Sequence, residues 1–366
     1  MKRIPLLLVG MCLSLMATAQ GPAGEPSGEK RKPVLINGLN YYLDEDPYKA
    51  TVANGNQWTG ELDIPSEVEY NGHTYPVTYI SYTAFGGCET LTKVRIPKSV
   101  RDIYHYAGWE ACKNPFDGCT SLESIEVEEG SQYMCSIDGV LYNYDKTTLY
   151  SYPAGSKRET YTIPTGVEKI GIASFRNCAA LKSVIMPNTV TAAYGGNFEG
   201  CSNLEEVRLS DNLIHLEAYM FRYCTNLKTI SIPPAVKDLG EYTFHGCSSL
   251  RTLDLPASVT FIGDFSFKNC KLEKLVIRGV IDEYLSRYTF SGLEEACTIY
   301  VPASEIERYK QCYEGTVLPL ESYTTEIAMP NKAKNSSTLF DLQGRHLQEV
   351  PVQSIYIRDG RKYVGK

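Results

Sequence analysis

The strongest constraint on the fold is a period of 23 residues in the second half of the chain. Six phenylalanines are spaced by this interval, and a cysteine stands three residues after each of the first five. Two earlier Phe/Cys pairs also have the cysteine three residues after the phenylalanine. A short fixed period is typical of a solenoid, in which each coil stacks only on its neighbours. The residues are Phe175, Phe198, Phe221, Phe244, Phe267 and Phe290, with Cys178, Cys201, Cys224, Cys247 and Cys270, and the earlier copies Phe85–Cys88 and Phe116–Cys119.

One coil shows what each position is predicted to do. Ile230 and Ile232 alternate around a polar residue, as in a strand with one buried face, and Pro233 ends that strand. Stacked strands of this kind predict a parallel ladder. The phenylalanines are then expected to form a continuous column in the core.

The cysteine column is interpreted as reduced, buried filler of the core. Equivalent side chains of stacked coils point the same way, which disfavours disulfides, and no metal-ligand spacing such as CxxC occurs. Among the cysteines outside the column, one bridge between Cys297 and Cys312 remains an alternative, while Cys112 and Cys135 have no assigned partner.

The N-terminal region predicts export. Residues 1–19 combine a basic start, an apolar run and a small-residue cleavage site, which is typical of a secretory signal peptide. A retained membrane anchor is the alternative, but the apolar run is short for a span. Residues 20–33 are rich in Gly, Pro and charge and are expected to be a disordered tether. No other segment is apolar enough to span a bilayer after cleavage.

The remaining chain is divided into a solenoid and a tail. Residues 34–320 are predicted to form the solenoid, with an N-terminal hairpin cap and a C-terminal helical cap over Ala303–Tyr313 that begins with Ser304 as N-cap. Hairpins are predicted to interrupt the array within residues 66–76 and 133–164. Residues 321–337 are interpreted as a linker, and residues 338–366 as a small β tail with a turn at Asp359–Gly360.

The repeat resembles a known family. The segment from Tyr242 to Ile262 (YTFHGCSSLRTLDLPASVTFI) is similar to the BspA-like leucine-rich repeats of bacterial surface proteins. The resemblance implies an α/β-type repeat solenoid, mostly β and irregular, that is right-handed, exported and used in adhesion or in binding host proteins and surfaces. It implies no shared catalytic residues. The segment from Phe340 to Val364 resembles the C-terminal sorting tails of Bacteroidetes-type exported proteins, which implies delivery to the cell surface.

Charge and motifs argue against several function classes. The formal net charge is −7 and no basic run occurs, so the chain has no electrostatic footprint for nucleic acid. The five histidines are scattered, and no nucleophile, phosphate-loop or metalloprotease motif is present. His215 and His245 are expected to be solvated residues of turns. The sequence therefore predicts neither an enzyme nor a metal or cofactor site.

Two regions are candidate binding sites. The outward column of the strand ladder is predicted to include Arg95, Glu126, Arg208 and Asp254, and also Ile185, Ser231 and Val276. The interval from Phe85 to Phe116 is longer than the 23-residue period, and the extra residues lie within 102–115, called the surplus residues below. They bring several aromatic side chains and a histidine together. These residues can form a binding knob, because loops on a rigid scaffold often carry function, or they can pack over the adjacent coil. They are Tyr104, His105, Tyr106 and Trp109.

The predicted function is a monomeric binding module, secreted or displayed on the cell surface, for protein or glycan partners. The alternative is a structural spacer of the cell envelope that has no specific ligand.

Overall fold

The structure is a computed structural model. It describes residues 32–323 apart from 56, 109–110, 282–284 and 294, and the backbone of four short strands between 339 and 364. The chain divides into two compact units, Met1–Leu320 and Glu321–Lys366. The predicted signal peptide and the tether up to residue 31 lie outside the described residues. In the described part of the chain, no helix is long and apolar enough to cross a bilayer.

A first ladder of parallel strands follows the leucine of each coil, as the repeat predicts. Ser183 pairs with Glu206, and Glu206 with Thr229, so equivalent residues of neighbouring coils lie side by side. The ladder comprises three sheets. Their strands are Gly60–Asp63, Leu91–Ile96 and Ser124–Val127; Thr160–Thr162, Ser183–Ile185, Glu206–Arg208 and Thr229–Ile230; and Thr252–Leu255, Lys274–Ile277, Thr298–Val301 and Thr316–Pro319.

A second ladder lies on the return path of each coil, before the phenylalanine. In the regular coils its strands are short, because only two residues per coil remain in register, for example His215 opposite Asp238 and Leu216 opposite Leu239. The strands are Tyr48–Val52, His73–Ile80 and Asp102–Ile103; Thr148–Ser151, Lys169–Ile170 and Ala192–Ala193; and His215–Leu216, Asp238–Leu239 and Phe261–Ile262.

The core between the ladders contains the phenylalanine column. Neighbouring rings stack with centroids 5.2 to 6.5 Å apart. Tyr152, from the long insertion, stacks on Phe175 at 5.2 Å and extends the column where the 23-residue period is interrupted. Tyr309 and Tyr313 contact Phe290 at the other end. The column is therefore continued and closed by tyrosines that the period alone does not identify.

The cysteine column is buried and makes a specific contact. Cys224 Sγ donates to the carbonyl oxygen of Phe198, and Cys247 Sγ to that of Phe221, both at 3.1 Å. Cys201 and Cys270 make the same bond at 2.9 Å. These four thiols thus satisfy a carbonyl of the preceding coil, in addition to filling space. All described cysteines are free, including Cys297 and Cys312.

The N-terminal cap is antiparallel, as predicted. Val34–Ile36 pairs with Leu39–Glu45, which pairs with Tyr48–Val52. Asn37 and Gly38 both have positive φ, 49° and 89°, as the two-residue turn requires. The last strand then pairs in parallel with His73–Ile80. The cap consequently connects directly to the second ladder.

In the described residues, two hairpins and a three-stranded meander interrupt the array. Glu67–Tyr70 pairs with His73–Ile80. Within the surplus residues, Tyr106–Gly108 pairs with Ala111–Lys113, and these two strands are called the insertion hairpin below. In the long insertion, Met134–Ile137, Val140–Asn143 and Thr148–Ser151 form an antiparallel meander. Its last strand enters the second ladder beside Lys169–Ile170, so the insertion is part of the solenoid.

The helical cap is smaller than predicted. A 3-10 turn, Ala303–Glu305, precedes a single α-helical turn, Ile306–Tyr309. The assignment of Ser304 as N-cap is wrong, because Pro302 precedes the turn and no side chain caps it. The sequence interpretation also omitted Thr316–Pro319, which adds a last parallel strand beside Thr298–Val301. A further 3-10 turn follows at Leu320–Ser322.

The second unit contains a small antiparallel β tail, as predicted. Its order is His346–Leu347, Leu339–Phe340, Ile355–Arg358 and Arg361–Val364. Arg358 lies opposite Arg361, which leaves two residues for the connecting turn. Those residues, the predicted Asp359–Gly360 turn, lie outside the described part.

Candidate functional site

In the first ladder, two of the predicted binding residues contact each other. Arg95 Nη2 lies 3.5 Å from Glu126 Oε2, and Arg95 Nη1 lies 3.0 Å from Asp63 Oδ1. Lys93 Nζ is 2.6 Å from the other oxygen of Glu126 and, as its hydrogen-bond donor, lowers the pKa of that carboxyl. These charges neutralise one another within the ladder, which leaves little charge to recruit a partner.

The remaining ladder candidates differ in their surroundings. Asp254 accepts two hydrogen bonds from Arg278, at 2.7 and 2.6 Å. Arg208 lies opposite the exposed Ile185 and has no ion-pair partner among the described residues. The prediction that Val276 faces outward is wrong: it is buried, between Asp254 and Tyr300 in the ladder. The outward column is therefore interrupted before its last coils.

The base of the surplus segment packs on the solenoid. Tyr104 stacks on Tyr79 with a centroid distance of 5.3 Å, and the His105 ring lies 5.8 Å from that of Tyr150. Burial lowers the pKa of His105 to about 4. These contacts support the packing alternative for the two residues. The side chain of Tyr106 and the whole of Trp109 lie outside the described part, so the binding-knob hypothesis for them stays a prediction.

The insertion hairpin is anchored to the coils that begin at residue 173. Cys112 packs in a small cluster with Ile172, Ala173 and Tyr219. A Cβ added to Gly195 would lie 2.7 Å from Cys112 Sγ, and one added to Gly196 would lie 2.8 Å from Cys112 Cβ. The hairpin therefore approaches the solenoid backbone at a place where only glycine leaves enough room.

Directly beyond the hairpin lies an aromatic strip, defined as Tyr219, Tyr242, Phe265 and Tyr288. These residues occupy one coil position, two residues before the phenylalanines of the core. Their rings stack in sequence, with centroids 5.4, 5.1 and 5.6 Å apart. Tyr219 is buried against the hairpin cluster, whereas 42% of Tyr288 is exposed. The strip thus runs from the covered hairpin toward solvent.

The backbone at this coil position is left-handed in the first three residues of the strip. φ is 62° at Tyr219, 56° at Tyr242 and 58° at Phe265. A side chain in this conformation costs about 1–2 kcal/mol, and glycine avoids most of that cost. Glycine does occupy the position one coil earlier, at Gly196, where φ is 70°. The strip keeps large aromatic side chains although the backbone favours glycine.

Cations border the strip. The Arg222 guanidinium lies 4.8 Å from the ring centre of Tyr223 and within 6 Å of those of Tyr219 and Tyr242. Lys268 Nζ lies 5.2 Å from the centre of Phe265, and the Arg287 guanidinium 4.8 Å from that of Tyr288. Cation–π contacts of this kind contribute about 0.5–1 kcal/mol each at exposed sites. They also fix the cations along one edge of the rings.

His245 packs against the strip and is buried, which corrects the expectation that it is solvated. Only 6% of it is exposed, and its ring packs 5.5 Å from Tyr242 and 5.1 Å from Tyr223. Burial and the nearby cations lower its pKa to about 4, so it is neutral at pH 7. His215 is also not a solvated turn residue. It lies in the second ladder, and its hydrogen bond to Asp238, at 2.7 Å, raises its pKa.

The ring geometry restricts what the strip can bind. The rings of Tyr219, Tyr242 and Phe265 lie within 13° and 23° of parallel, so their faces are occupied by one another and by cations. Sugar rings and bases bind aromatic side chains through free ring faces. The strip leaves ring edges and tyrosine hydroxyl groups accessible, next to Arg and Lys side chains. It therefore resembles a protein–protein interface, since such interfaces are enriched in Tyr and Arg. No metal-binding cluster occurs among the residues that the structure describes.

Sequence reasoning missed the strip, although a signal was available. The four aromatic residues repeat at the same interval of 23 as the phenylalanine column, offset by two positions. In the two preceding coils the same position holds Ala173 and Gly196. The aromatic pattern therefore begins only at residue 219 and is easily overlooked.

Several solved structures are similar to this chain. Of the solved structures, the pneumococcal vaccine antigen PcpA is similar over 79% of this chain and 98% of its own, at 18% identity and a TM-score of 0.53. A leucine-rich cell surface protein of Faecalibacterium prausnitzii is similar over 73% of this chain and 98% of its own, at 20% identity and a TM-score of 0.46. The leucine-rich repeat protein of T. pallidum matches 60% of this chain and 91% of its own, at 26% identity and a TM-score of 0.35.

No curated protein matches the chain. Six copies of the BspA type leucine rich repeat region match residues 70–136, 149–273 and 226–329. These matches span more than half of the sequence, and the chain belongs to the BspA-type leucine-rich repeat family.

Proposed function

We propose that this protein is a non-catalytic binding module, exported to the cell surface, whose partners are proteins. Membership of a family of surface leucine-rich repeat proteins supports an interaction role and a surface location. The predicted signal peptide and the resemblance of the tail to sorting tails favour the same location. Cell fractionation that finds the protein in the periplasm would contradict the surface assignment.

The observation that carries the proposal is the aromatic strip with its left-handed backbone. At Tyr219, Tyr242 and Phe265 the aromatic residue costs about 1–2 kcal/mol of backbone strain that glycine would relieve. Stacking between the rings offsets part of this cost, at about 0.5–1.5 kcal/mol per pair. Tyr288, which ends the strip, and the neighbouring Tyr223 are both exposed beside an arginine, Arg287 and Arg222. Exposed tyrosines accompanied by arginine are the features expected of a protein-binding surface.

The first experiment compares variants on protein and glycan arrays. The strip variant replaces Tyr288 of the strip and the neighbouring exposed Tyr223 together with Ser. It is expected to weaken binding to protein ligands at least tenfold, with little change in Tm. The matched control is Tyr144→Ser, since Tyr144 is also exposed but lies in the long insertion. Equal binding by the strip variant and the control would contradict the assignment of the surface.

A second variant tests the sequence-based alternative. Tyr104, Tyr106 and Trp109 are replaced together with Ala, which is expected to lower Tm because Tyr104 packs on Tyr79. If this variant keeps its fold and loses binding while the strip variant binds normally, the surplus segment is the binding site. Arrays that show no protein or glycan ligand would favour the spacer function instead.

A further inference from the structure

The N-terminal cap contains a cavity of about 340 Å³, whose lining residues are separate from the aromatic strip. Leu43 and Glu45 come from the second strand of the cap, and Tyr70 and Tyr75 come from the hairpin that follows it in the chain. The third cap strand, Tyr48–Val52, pairs with the second strand on one side and with the hairpin on the other. The cavity is therefore built on paired strands, which hold its lining residues in fixed positions.

Two opposite charges line the cavity without pairing with each other. They are the side chains of Lys32 and Glu45, and Glu45 has no ion-pair partner among the described residues. The adjacent Asp44 does not line the cavity and instead pairs with Lys49, at 3.6 Å. A cationic ligand would be repelled by Lys32 and an anionic ligand by Glu45. The cavity consequently favours a ligand that carries no net charge.

Two tyrosines supply further binding groups. Tyr75 is 3% exposed, and the ring of Tyr48 packs against it edge to face at 5.1 Å. Burial, and then the nearby Glu45 carboxylate, raise the pKa of Tyr75, so its phenol is protonated at pH 7. Tyr70 is 36% exposed, and within the described part of the chain no aromatic ring or cation lies against it. Its ring is thus available to a ligand, unlike the stacked rings of the strip.

The size and chemistry of the lining match a single sugar ring. Ligand cavities in proteins measure about 300–1,000 Å³, so this one takes a small ligand. A carboxylate such as that of Glu45 accepts hydrogen bonds from two adjacent hydroxyl groups, and a phenol can donate or accept. The apolar C–H face of a sugar packs on an exposed ring such as that of Tyr70. A purely apolar ligand would instead cover the carboxylate without giving it a partner.

We propose that the cavity of the N-terminal cap binds one neutral sugar residue at the end of a glycan. Glu45 accepts hydrogen bonds from two hydroxyl groups of the sugar, the Tyr75 hydroxyl binds a further oxygen, and Tyr70 packs against the C–H face. This inference goes beyond the proposed function, because it concerns a second surface and a different class of partner.

The test is saturation-transfer NMR of the chain from Gln20 to Lys366 with methyl glycosides of hexoses and N-acetylhexosamines, followed by titration of those that bind. We expect a Kd on the order of 1 mM, because one sugar ring has few atoms to bury. Higher salt should not change it, because the ligand is uncharged. Glu45→Gln and Tyr70→Ala should each weaken binding at least tenfold.

Matched controls separate the cavity from its surroundings. Asp44→Asn changes the neighbouring carboxylate, and Tyr133→Ala removes an exposed tyrosine of the long insertion. Both should bind the glycosides as the wild type does, and the Tm of each variant verifies that the fold is kept. The strip variant should also bind the glycosides normally.

Several outcomes would overturn the inference. They are the absence of saturation transfer from every glycoside, unchanged binding by Glu45→Gln or Tyr70→Ala, and an equal loss in the controls. Salt-dependent binding of choline or glycine in place of the glycosides would assign the cavity to a charged ligand and would also overturn it. Failure of sugar binding leaves the proposed function intact, since the protein arrays and the strip variant test that function separately.

Discussion

Two sets of coils carry different side chains at the same coil position. The first set begins at Ala173 and Gly196, and the second contains the aromatic strip. In the five coils from Ala173 to Phe265, the residue two before the core phenylalanine has a left-handed φ, between 52° and 70°. Where the insertion hairpin covers that position, the residues are small and Cys112 fills the space. From Tyr219 onward the residues are aromatic, and Tyr219 itself packs against the hairpin cluster. The comparison indicates that the size of the side chain at this position depends on how closely the insertion hairpin approaches the backbone.

The largest expected difference between the two regions concerns their cations. Arg176→Met removes a cation from between Asp117 and Glu199, whose side chains are 23% and 7% exposed. We expect a loss of about 3 kcal/mol in the free energy of unfolding, because removing one partner leaves buried charge uncompensated. Lys268→Met should cost less than about 0.5 kcal/mol, since no described carboxylate depends on it. Urea denaturation of both variants measures the difference, and equal losses would contradict the comparison.

The close approach of the hairpin predicts the next effect. Gly195→Ala places a Cβ 2.7 Å from Cys112 Sγ and 3.0 Å from the carbonyl oxygen of Ala218. Overpacking of this kind costs about 1–3 kcal/mol. In a Cys112→Ala background the sulfur is absent, so the same substitution should cost measurably less. A double-mutant cycle by chemical denaturation gives this coupling, and additive effects would show that the hairpin does not press on Gly195.

The sequence predicted the repeating parts of the fold because they are local. The alternation around Ser231 and the spacing of Phe221 and Phe244 report contacts that recur in each coil, and the structure has the predicted ladder and ring column. Tyr152 was not predicted to join that column, since it enters from an insertion that breaks the period. Periodicity identifies a residue only when its neighbours in space are also one period away in sequence.

The candidate site was less predictable for the same reason. Arg95, Glu126 and Asp254 were correctly placed on strands, but their ion pairs with Asp63, Lys93 and Arg278 cannot be read from one strand alone. The anchoring of Cys112 by Arg176 joins residues separated by 64 positions, with no repeated signal. Contacts between an insertion and the array depend on the path of the insertion, which the sequence pattern does not contain.

A smaller effect tests the backbone argument for the strip. At Tyr242, where φ is 56°, Ala and Gly both remove the ring and its stacking. Gly should be more stable than Ala by about 1 kcal/mol, because only Gly adopts this conformation without strain. At Leu253, in the first ladder and without a positive φ, the order should be reversed. Thermal unfolding of the four variants measures both pairs, and a more stable Ala at residue 242 would contradict the inferred cost.

The smallest expected effect is a pH dependence that distinguishes the strip from the second ladder. The pKa of His245 is lowered to about 4, so its contribution to stability is present above the unfolded-state pKa and is lost as pH falls toward 4. The pKa of His215 is raised by Asp238, so its contribution is present at low pH and is lost as pH rises through the folded-state value. Between about pH 7.5 and about pH 6, His245→Gln should become less destabilising by roughly 0.5 kcal/mol, whereas His215→Gln should become more destabilising. Urea denaturation at the two pH values gives both differences. Slopes of the same sign would mean that His245 is solvated and that the strip does not bury it.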